Sequence, residues 1–416
     1  MIPESNIHIY EFKNGLRLVF QNTGKSGIAN CGLLMSAGTR DEKKGKEGLA
    51  HFIEHTIFKG TLKRNSLQII NRLEMVGGEL NAYTSKEETC VYATFMKSFL
   101  ERALELINDI VFHSVFPEKE IIKEKEVVLD EIRSYLDSPA EQIFDDFEGL
   151  IFKNHALGNS ILGTEQSVKK FSRKDILDFI KNNYSTKNMV LSVTGDFEFN
   201  YVKQLAARYF SEHKAKNYDR ARPKFKHNKP VHKEITKSTE QAHYITGGSA
   251  YSYNHPQRLA LVLLNNILGG PAMNSRLNLA IREKYGYTYN IESNYIAFSD
   301  TGVFNLYLAT DKKHLARSIQ LANKELEKLC SNPFSVNKLH QYCEQLIGQV
   351  AIAQENKTGV MLSLARSLLN YGKIESLEEI FTKIRKISPG QLCNVANEIF
   401  SHNRLSSLLY INNAED

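Results

Sequence analysis

Two stretches of this sequence, half the chain apart, match each other, and this repeat constrains the fold more than any other feature. The segment 48–60, GLAHFIEHTIFKG, aligns with 258–270, RLALVLLNNILGG, at an offset of 210 residues. At the same offset, the AGT of 37–39 aligns with the GGS of 247–249. Several matches near half of the 416-residue length indicate two copies of one fold.

The two copies differ at three polar positions. A polar triad in the first copy is replaced by two leucines and an asparagine in the second, the pairs being His51 and Leu261, Glu54 and Leu264, and His55 and Asn265. A duplicated fold with a single active site would differ in this way, so we expect the chemistry in the first copy.

A basic stretch that is poor in aliphatic residues separates the copies. We therefore predict domains at 1–212 and 237–416, joined by a basic linker at 213–236. The charge of the linker leaves an RNA-binding arm as an alternative, but a solvated connector is the simpler interpretation.

Apolar periodicity predicts the elements on either side of the triad. HIYEF and LRLVF, joined by Asn14-Gly15, are typical of a β-hairpin. Further strands are predicted at 28–38 and 188–197, and helices at 48–59, 66–76, 98–112, 118–137 and 172–182.

Composition excludes several classes of protein. The net charge of +6 is mild for this length, so it calls for no nucleic-acid or membrane partner. Five scattered cysteines without a CxxC pair argue against a disulfide scaffold and a cysteine zinc knuckle. The opening MIPESNIHIYEF lacks the pattern of a secretory signal, and no run approaches eighteen apolar residues. We expect a protein of the reducing cytoplasm.

The predicted helix 48–59 carries the triad away from its apolar stripe. Histidines at i and i+4 lie one turn apart, so both imidazoles of His51 and His55 can reach one ion. Glu54 directly precedes the second histidine and completes the pattern H-x-x-E-H, the inverted form of the zinc-protease motif. The alternative is a helix that carries two histidines by chance.

A third metal ligand is predicted on the helix 118–137. Glu124 and Glu131 lie on the same edge as the apolar Ile121 and Val128. Carboxylates on the apolar side of a helix are costly unless a positive group meets them, and a zinc ion would do so. Glu124 lies two turns from Glu131, roughly 10 Å along the axis, so it would support the site without binding the same ion. The alternative is that both carboxylates pair with surface lysines.

With these motifs the chain resembles the pitrilysin, insulysin and mitochondrial processing peptidase family of zinc endopeptidases, known as inverzincins, in its two-domain bacterial and organellar branch. The matching segments span nearly the whole chain in the family's order: AGTRDE, GLAHFIEHTIFKGT, GGELNAYTSKEETCVY, EKEVVLDEI, NMVLSVTGDF and IREKYGYTYNIES.

The resemblance implies a role for each matching residue. His51, His55 and Glu131 would bind one Zn²⁺ per chain, with Glu54 as general base and Glu124 as a supporting acidic residue. Arg282 and Tyr289, seven residues apart in the second copy, would act on the carbonyl side of the substrate and come from the partner subunit. The strand GELNAYTS would add the substrate as one more strand through Asn81, Ala82 and Thr84. Ordinary turn and strand chemistry also accounts for Asn81 and Thr84.

The resemblance also implies the fold class and the assembly. We expect an α+β protein of two homologous domains, each a mainly antiparallel sheet with helices packed on it, as in the processing peptidases. The N-terminal domain would be catalytic and zinc-binding, and the C-terminal domain would bind no metal.

The function that follows is a zinc metalloendopeptidase that cleaves extended, unfolded peptides inside a chamber formed by a homodimer. A non-catalytic assembly subunit and a heterodimer with a homologous chain remain alternatives. The role of the glycine-containing segment 269–277 is left open.

Overall fold

A computed structural model describes residues 6–215 and 222–411. These residues form two compact units, and neither unit is continuous in sequence. The first contains 6–133, 159–215 with Arg222, and 353–375. The second contains 134–158, 223–352 and 376–411.

Up to residue 215 the elements alternate between strands and helices. The strands are β1 (Ile7–Glu11), β2 (Arg17–Asn22), β3 (Ile28–Met35), β4 (Glu79–Thr84), β5 (Thr89–Met96) and β6 (Met189–Gly195). The helices are α1 (Leu49–Thr56), α2 (Ser66–Glu74), α3 (Leu100–His113), α4 (Glu118–Leu136), α5 (Pro139–Ile151), α6 (Glu165–Lys169), α7 (Arg173–Asn183) and α8 (Phe199–Phe210).

From residue 222 onward, strands and helices alternate again. The strands are β7 (His232–Thr236), β8 (Ala242–Ala250), β9 (Asn290–Ala297), β10 (Gly302–Thr310) and β11 (Ser406–Ile411). The helices are α9 (Arg258–Gly269), α10 (Lys312–Ser331), α11 (Val336–Ala353), α12 (Lys357–Tyr371), α13 (Leu377–Arg385) and α14 (Pro389–Phe400), with a π-helical turn at Asn278–Glu283.

Each unit contains one sheet, and the two sheets share a topology. The first has the order β1-β2-β6-β3-β5-β4 and the second has the order β7-β11-β8-β10-β9. Apart from β1, the orders correspond strand for strand. Of the strand pairs in 6–215 and 222–411, only β2–β6 in the first sheet and β7–β11 in the second are parallel. The mainly antiparallel α+β architecture with two homologous sheets is therefore confirmed.

The predicted first hairpin is present. β1 pairs with β2 in antiparallel register, and Gly15 in the connecting turn has a φ of +80°, a conformation that glycine adopts without strain.

Helices cover both faces of the first sheet, which explains its continuous apolar strands. Every residue of β6 (MVLSVTG) is buried. One face packs against α12 through Val360, Leu364 and Leu368, residues spaced four apart. The opposite face packs against helices that include α1 and α3. A helix from the second half of the chain thus completes the core of the first unit.

The second unit also contains a helix from the other half of the chain. In α5, Ile143, Phe147 and Ile151 recur at every fourth residue and pack with Ile245 and Leu408 of the second sheet. The boundaries 1–212 and 237–416 were predicted for the two sequence copies, and they stay a prediction.

The predicted linker 213–236 is only partly described. Residues 216–221 lie outside the described residues, and 232–236 form β7. Within the described ranges, no helix combines the length and apolar character needed to cross a membrane.

Gly48, which precedes α1, is required by both backbone conformation and space. Its φ is +90°, and a Cβ there would lie 2.4 Å from the carbonyl oxygen of Leu162. We expect Gly48→Ala to lower the free energy of unfolding by about 2 kcal/mol or more, because left-handed strain and a backbone clash add together. Denaturant titration measures this loss.

The matched control for this substitution is Gly45→Ala. Gly45 has a similar φ of +82°, but, its chain neighbours aside, no atom of the described residues lies within 4 Å of its added Cβ. Gly45→Ala should lower the free energy of unfolding by about 1 kcal/mol, because only the left-handed backbone strain is added. Equal losses in the two variants would show that the contact with Leu162 is unimportant.

Candidate metal centre

α1 is fixed at its start by a buried carboxylate that the sequence analysis did not identify. Glu42 accepts hydrogen bonds from the backbone N–H groups of Gly48 (2.9 Å) and Ala50 (2.8 Å). Burial raises the pKa of Glu42, and these two donors oppose the shift. A carboxylate at a helix N-terminus satisfies free N–H groups and interacts favourably with the helix dipole. Glu42 therefore sets the position of the helix that carries the triad.

The structure brings the three predicted metal ligands together. The rings of His51 and His55 have centroids 4.6 Å apart. From α4, Oε2 of Glu131 lies 3.7 Å from Nε2 of His51 and 3.3 Å from Nε2 of His55. One ligand atom from each residue lies within 4.8 Å of the others. No other group of three such side chains in 6–215 and 222–411 meets this condition.

Glu124 lies against the other side of His55. Its Oε2 is 3.3 Å from Nδ1 of His55, and its Oε1 is 2.7 Å from Nζ of Lys59. Although burial opposes the change, hydrogen bonds from His55 and Lys59 lower the pKa of Glu124. Glu124 thus contacts Nδ1 of His55, while Glu131 contacts Nε2 on the opposite side of the ring. Lys59, which offsets this buried charge, was not identified from the sequence.

The electrostatics of the two histidines differ. Burial, together with the neighbouring His55, lowers the pKa of His51 to about 3, so its ring is neutral at neutral pH. Burial also acts to lower the pKa of His55, but Glu124 and Glu131 outweigh it and raise that pKa. His51 therefore offers an available nitrogen lone pair, whereas a metal ion at His55 competes with a proton.

The donor set fits a catalytic zinc ion. Two imidazole nitrogens and one carboxylate are a known catalytic ligand set, which leaves a coordination position for water. Nδ1 of His51 is buried and has no hydrogen-bond partner among the described residues. The neutral ring is thus held by packing, and Nε2 faces the carboxylate of Glu131.

Glu54 lies on the same helix, beside the end of β4. Burial raises the pKa of its carboxyl, while Thr84 and His55 act in the opposite direction. A carboxylate with a raised pKa is a stronger base, which suits general base catalysis at neutral pH.

The strand predicted to bind substrate lies at an edge of its sheet. Among the described strands, β4 pairs only with β5, so no described strand lies beside the other side of its backbone. It contains Asn81, Ala82 and Thr84; Ala82 packs toward the core and Asn81 is exposed. The location suits strand addition, while the roles of these three residues stay a prediction.

The β4–β5 hairpin is anchored by α12, a contact that the sequence analysis missed. Arg366 donates to Glu88 at 2.6 Å and to the Tyr83 hydroxyl at 2.9 Å. Tyr83 also donates to Glu88 at 2.8 Å. Because 278 residues separate Glu88 from Arg366, no local pattern could have indicated this contact.

Arg282 and Tyr289 lie together in the second unit. Both line a cavity of about 460 Å³, and Tyr289 is 86% exposed. Arg282 belongs to the π-helical turn, a distortion that is frequent at functional sites. The same cavity is lined by Gly269, Gly270 and Pro271. The glycine-containing segment 269–277, whose role the sequence left open, therefore begins at this cavity.

Models of one peptidase family match both halves of the chain. A family model described as insulinase (peptidase family M16) matches residues 17–165, and one described as the peptidase M16 inactive domain matches 170–346. The chain belongs to peptidase family M16, and the resemblance seen in the sequence is confirmed.

Similar proteins span almost the whole chain. An uncharacterised zinc protease of Rickettsia bellii is 32% identical over 99% of both chains. The mitochondrial-processing peptidase subunit beta of Rattus norvegicus is 30% identical over 92% of this chain and 79% of that protein. A protease structure from Helicobacter pylori superposes with a TM-score of 0.89 at 23% identity, covering 97% and 99% of the two chains, and shows the shared fold.

Glu124 should tune zinc affinity without binding the metal. We expect Glu124→Ala to weaken zinc binding by about 10- to 100-fold, because the ring of His55 loses its orienting partner. Competition with a chromogenic chelator measures the affinity. Glu126→Ala is the control, since Glu126 is an exposed carboxylate on the same helix. Equal affinities in the two variants would contradict the role of Glu124.

Proposed function

We propose that this chain is an active zinc-dependent endopeptidase that cleaves extended, unfolded peptides. The observation that carries the proposal is the convergence of His51, His55 and Glu131 within 4.8 Å, with Glu54 on the same helix. Several relatives are named zinc proteases, and these names support zinc as the metal. We propose one ion per chain.

Zinc, when bound, supplies a Lewis acid and lowers the pKa of a coordinated water. The chain's own carboxylate then does the proton transfer. Glu54 accepts a proton from the attacking water and returns it to the amine that leaves. The raised pKa of Glu54 favours the first of these transfers. Glu124 acts through His55, whose ring it orients.

The edge strand supplies a binding mode for the substrate. A peptide that pairs with β4 would use backbone hydrogen bonds, which tolerate many side-chain sequences. Asn81, Ala82 and Thr84 would line that peptide, and Thr84 adjoins Glu54. Pairing requires an extended chain, so folded proteins should be poor substrates.

We further propose a homodimer that encloses the peptide, in which Arg282 and Tyr289 of one subunit act on substrate bound by the other. A guanidinium and a phenol are suitable donors for a substrate carbonyl. Their shared cavity in the second unit supports a joint role. The scattered cysteines support a cytoplasmic location as part of the proposal.

A non-catalytic assembly subunit is the alternative function. It is favoured by the match of 170–346 to a model named for an inactive domain. The residues of the candidate centre, however, lie within 17–165, the part that matches the insulinase model. An assembly subunit has no need for two histidines and a carboxylate within one ion's reach, so we favour the peptidase.

Replacing the proposed base tests the reaction directly. We expect Glu54→Gln to retain zinc and to lower peptide hydrolysis by about 100-fold or more, because the amide cannot accept the proton. Cleavage of a mixed library of unstructured peptides, with and without a chelator, measures the loss. Glu126→Gln, on the exposed side of α4, is the control. Parent-like cleavage by Glu54→Gln would exclude Glu54 as the base.

Mixed dimers test whether two subunits build each site. Glu54→Gln and the double variant Arg282→Ala/Tyr289→Phe should each be nearly inactive alone. Coexpressed, they should recover about one quarter of the parent activity, since half of the dimers are mixed and each has one complete site. Activity that stays at the level of the single variants would contradict the trans arrangement.

A further inference from the structure

A cleft in the second unit is lined by an excess of cationic side chains. It has a volume of about 730 Å³ and lies between α10 and the segment 276–285. The lining cations are Arg276, Lys284, Arg317, Lys324 and Lys328. The carboxylates that line it are those of Glu325 and Glu327. The cleft thus carries a formal excess of positive charge.

The buried carboxylate of Glu325 forms ion pairs with two of the cations. Arg276 lies 2.8 Å from Glu325, and Lys328 lies 2.5 Å from its other oxygen. Lys284, Arg317 and Lys324 have no carboxylate within ion-pair distance among the described residues. Charges that remain unpaired in a cleft focus a positive potential into it.

Three of the lining cations, Arg317, Lys324 and Lys328, come from α10. Lys328 pairs with Glu325 three residues before it and lies in the last turn, where the helix dipole favours a cation. Lys324, one turn before Lys328, places a second positive charge on the same face of the helix.

The cleft also has apolar surface and a hydroxyl group. Leu279 is 50% exposed and lines the cleft with Ala280 and Leu321. Tyr285 lies beside Lys284, and Arg317 and Lys284 lower the pKa of its hydroxyl. An inorganic polyphosphate would make no use of exposed leucine surface. A ligand that combines carboxylates with apolar side chains would use both the cationic and the apolar parts of this lining.

We propose that this cleft binds an acidic peptide segment in which carboxylates alternate with apolar side chains. From Arg317 to Lys328 the helix rises by roughly 16 Å, the length of about five residues of extended peptide. Binding would need neither zinc nor the chemistry of the candidate centre. The π-helical turn Asn278–Glu283 supplies residues to this cleft and to the cavity of Arg282 and Tyr289, which places the two sites side by side on one element.

Fluorescence polarisation with a labelled peptide of alternating glutamate and leucine tests the proposal. The full chain is used with Glu54→Gln in every sample, so that binding is read without cleavage and independently of the proposed activity. Adding Arg317→Glu/Lys324→Glu should weaken binding by about ten-fold or more, because two attractive charges become repulsive. The matched control Lys229→Glu/Lys233→Glu changes the same net charge at exposed positions outside the cleft and should change binding by less than about two-fold.

Two comparisons complete the experiment. An alanine-for-glutamate version of the peptide should bind at least about ten-fold more weakly, and tripolyphosphate should displace the acidic peptide poorly. Unfolding curves verify that each variant is folded. Equal weakening by the two charge reversals, absence of binding to the starting protein, or tripolyphosphate binding as tightly as the peptide would each overturn the proposal.

Discussion

The contact on which the site depends is the one that holds His55 from both ring nitrogens. Glu131 faces Nε2 and Glu124 faces Nδ1, each at 3.3 Å. A ring held at both ends has one orientation, and Glu124 is in turn held by Lys59. Glu42 fixes the start of the same helix through two backbone N–H groups. The donors thus converge because α1 and α4 are positioned by carboxylates that take no part in the proposed reaction.

The duplicated sheet shows what the absence of these polar residues allows. In the second unit, Leu261 and Leu264 stand at the positions of His51 and Glu54, and both are fully buried. Each contributes about 2 kcal/mol of hydrophobic stabilisation that a polar side chain at the same position would not provide. The same strand order therefore supports a chemical site in one unit and an apolar core in the other. This division explains why a repeat visible at an offset of 210 loses its similarity at the triad.

The parts of the structure that sequence patterns predicted are the local ones. The first hairpin, the helix with the triad and the buried position of Glu124 on α4 depend on periodicity within one element, and the structure contains all of them. Glu131, predicted on the same apolar edge, is instead 42% exposed. Packing between segments that are distant in the sequence could not be predicted from these patterns. The apolar spacing of α12 predicts a helix, but nothing in that spacing indicates that it covers the sheet of the first unit. The Arg366 clamp and the role of Glu42 depend likewise on contacts between segments.

The edge strand β4 shows how these long-range contacts support the proposed binding surface. An open edge is a hazard, since unpaired backbone groups can recruit another chain. Here the hairpin tip is held on one side by Arg366 through Glu88, and on the other by Arg40 and Arg222 through Glu87. Arg40 is buried, so its ion pair is well shielded from water. A strand fixed so firmly at its tip keeps its shape while its edge stays open, and an open edge of fixed shape beside Glu54 is what an extended peptide needs in order to pair in register.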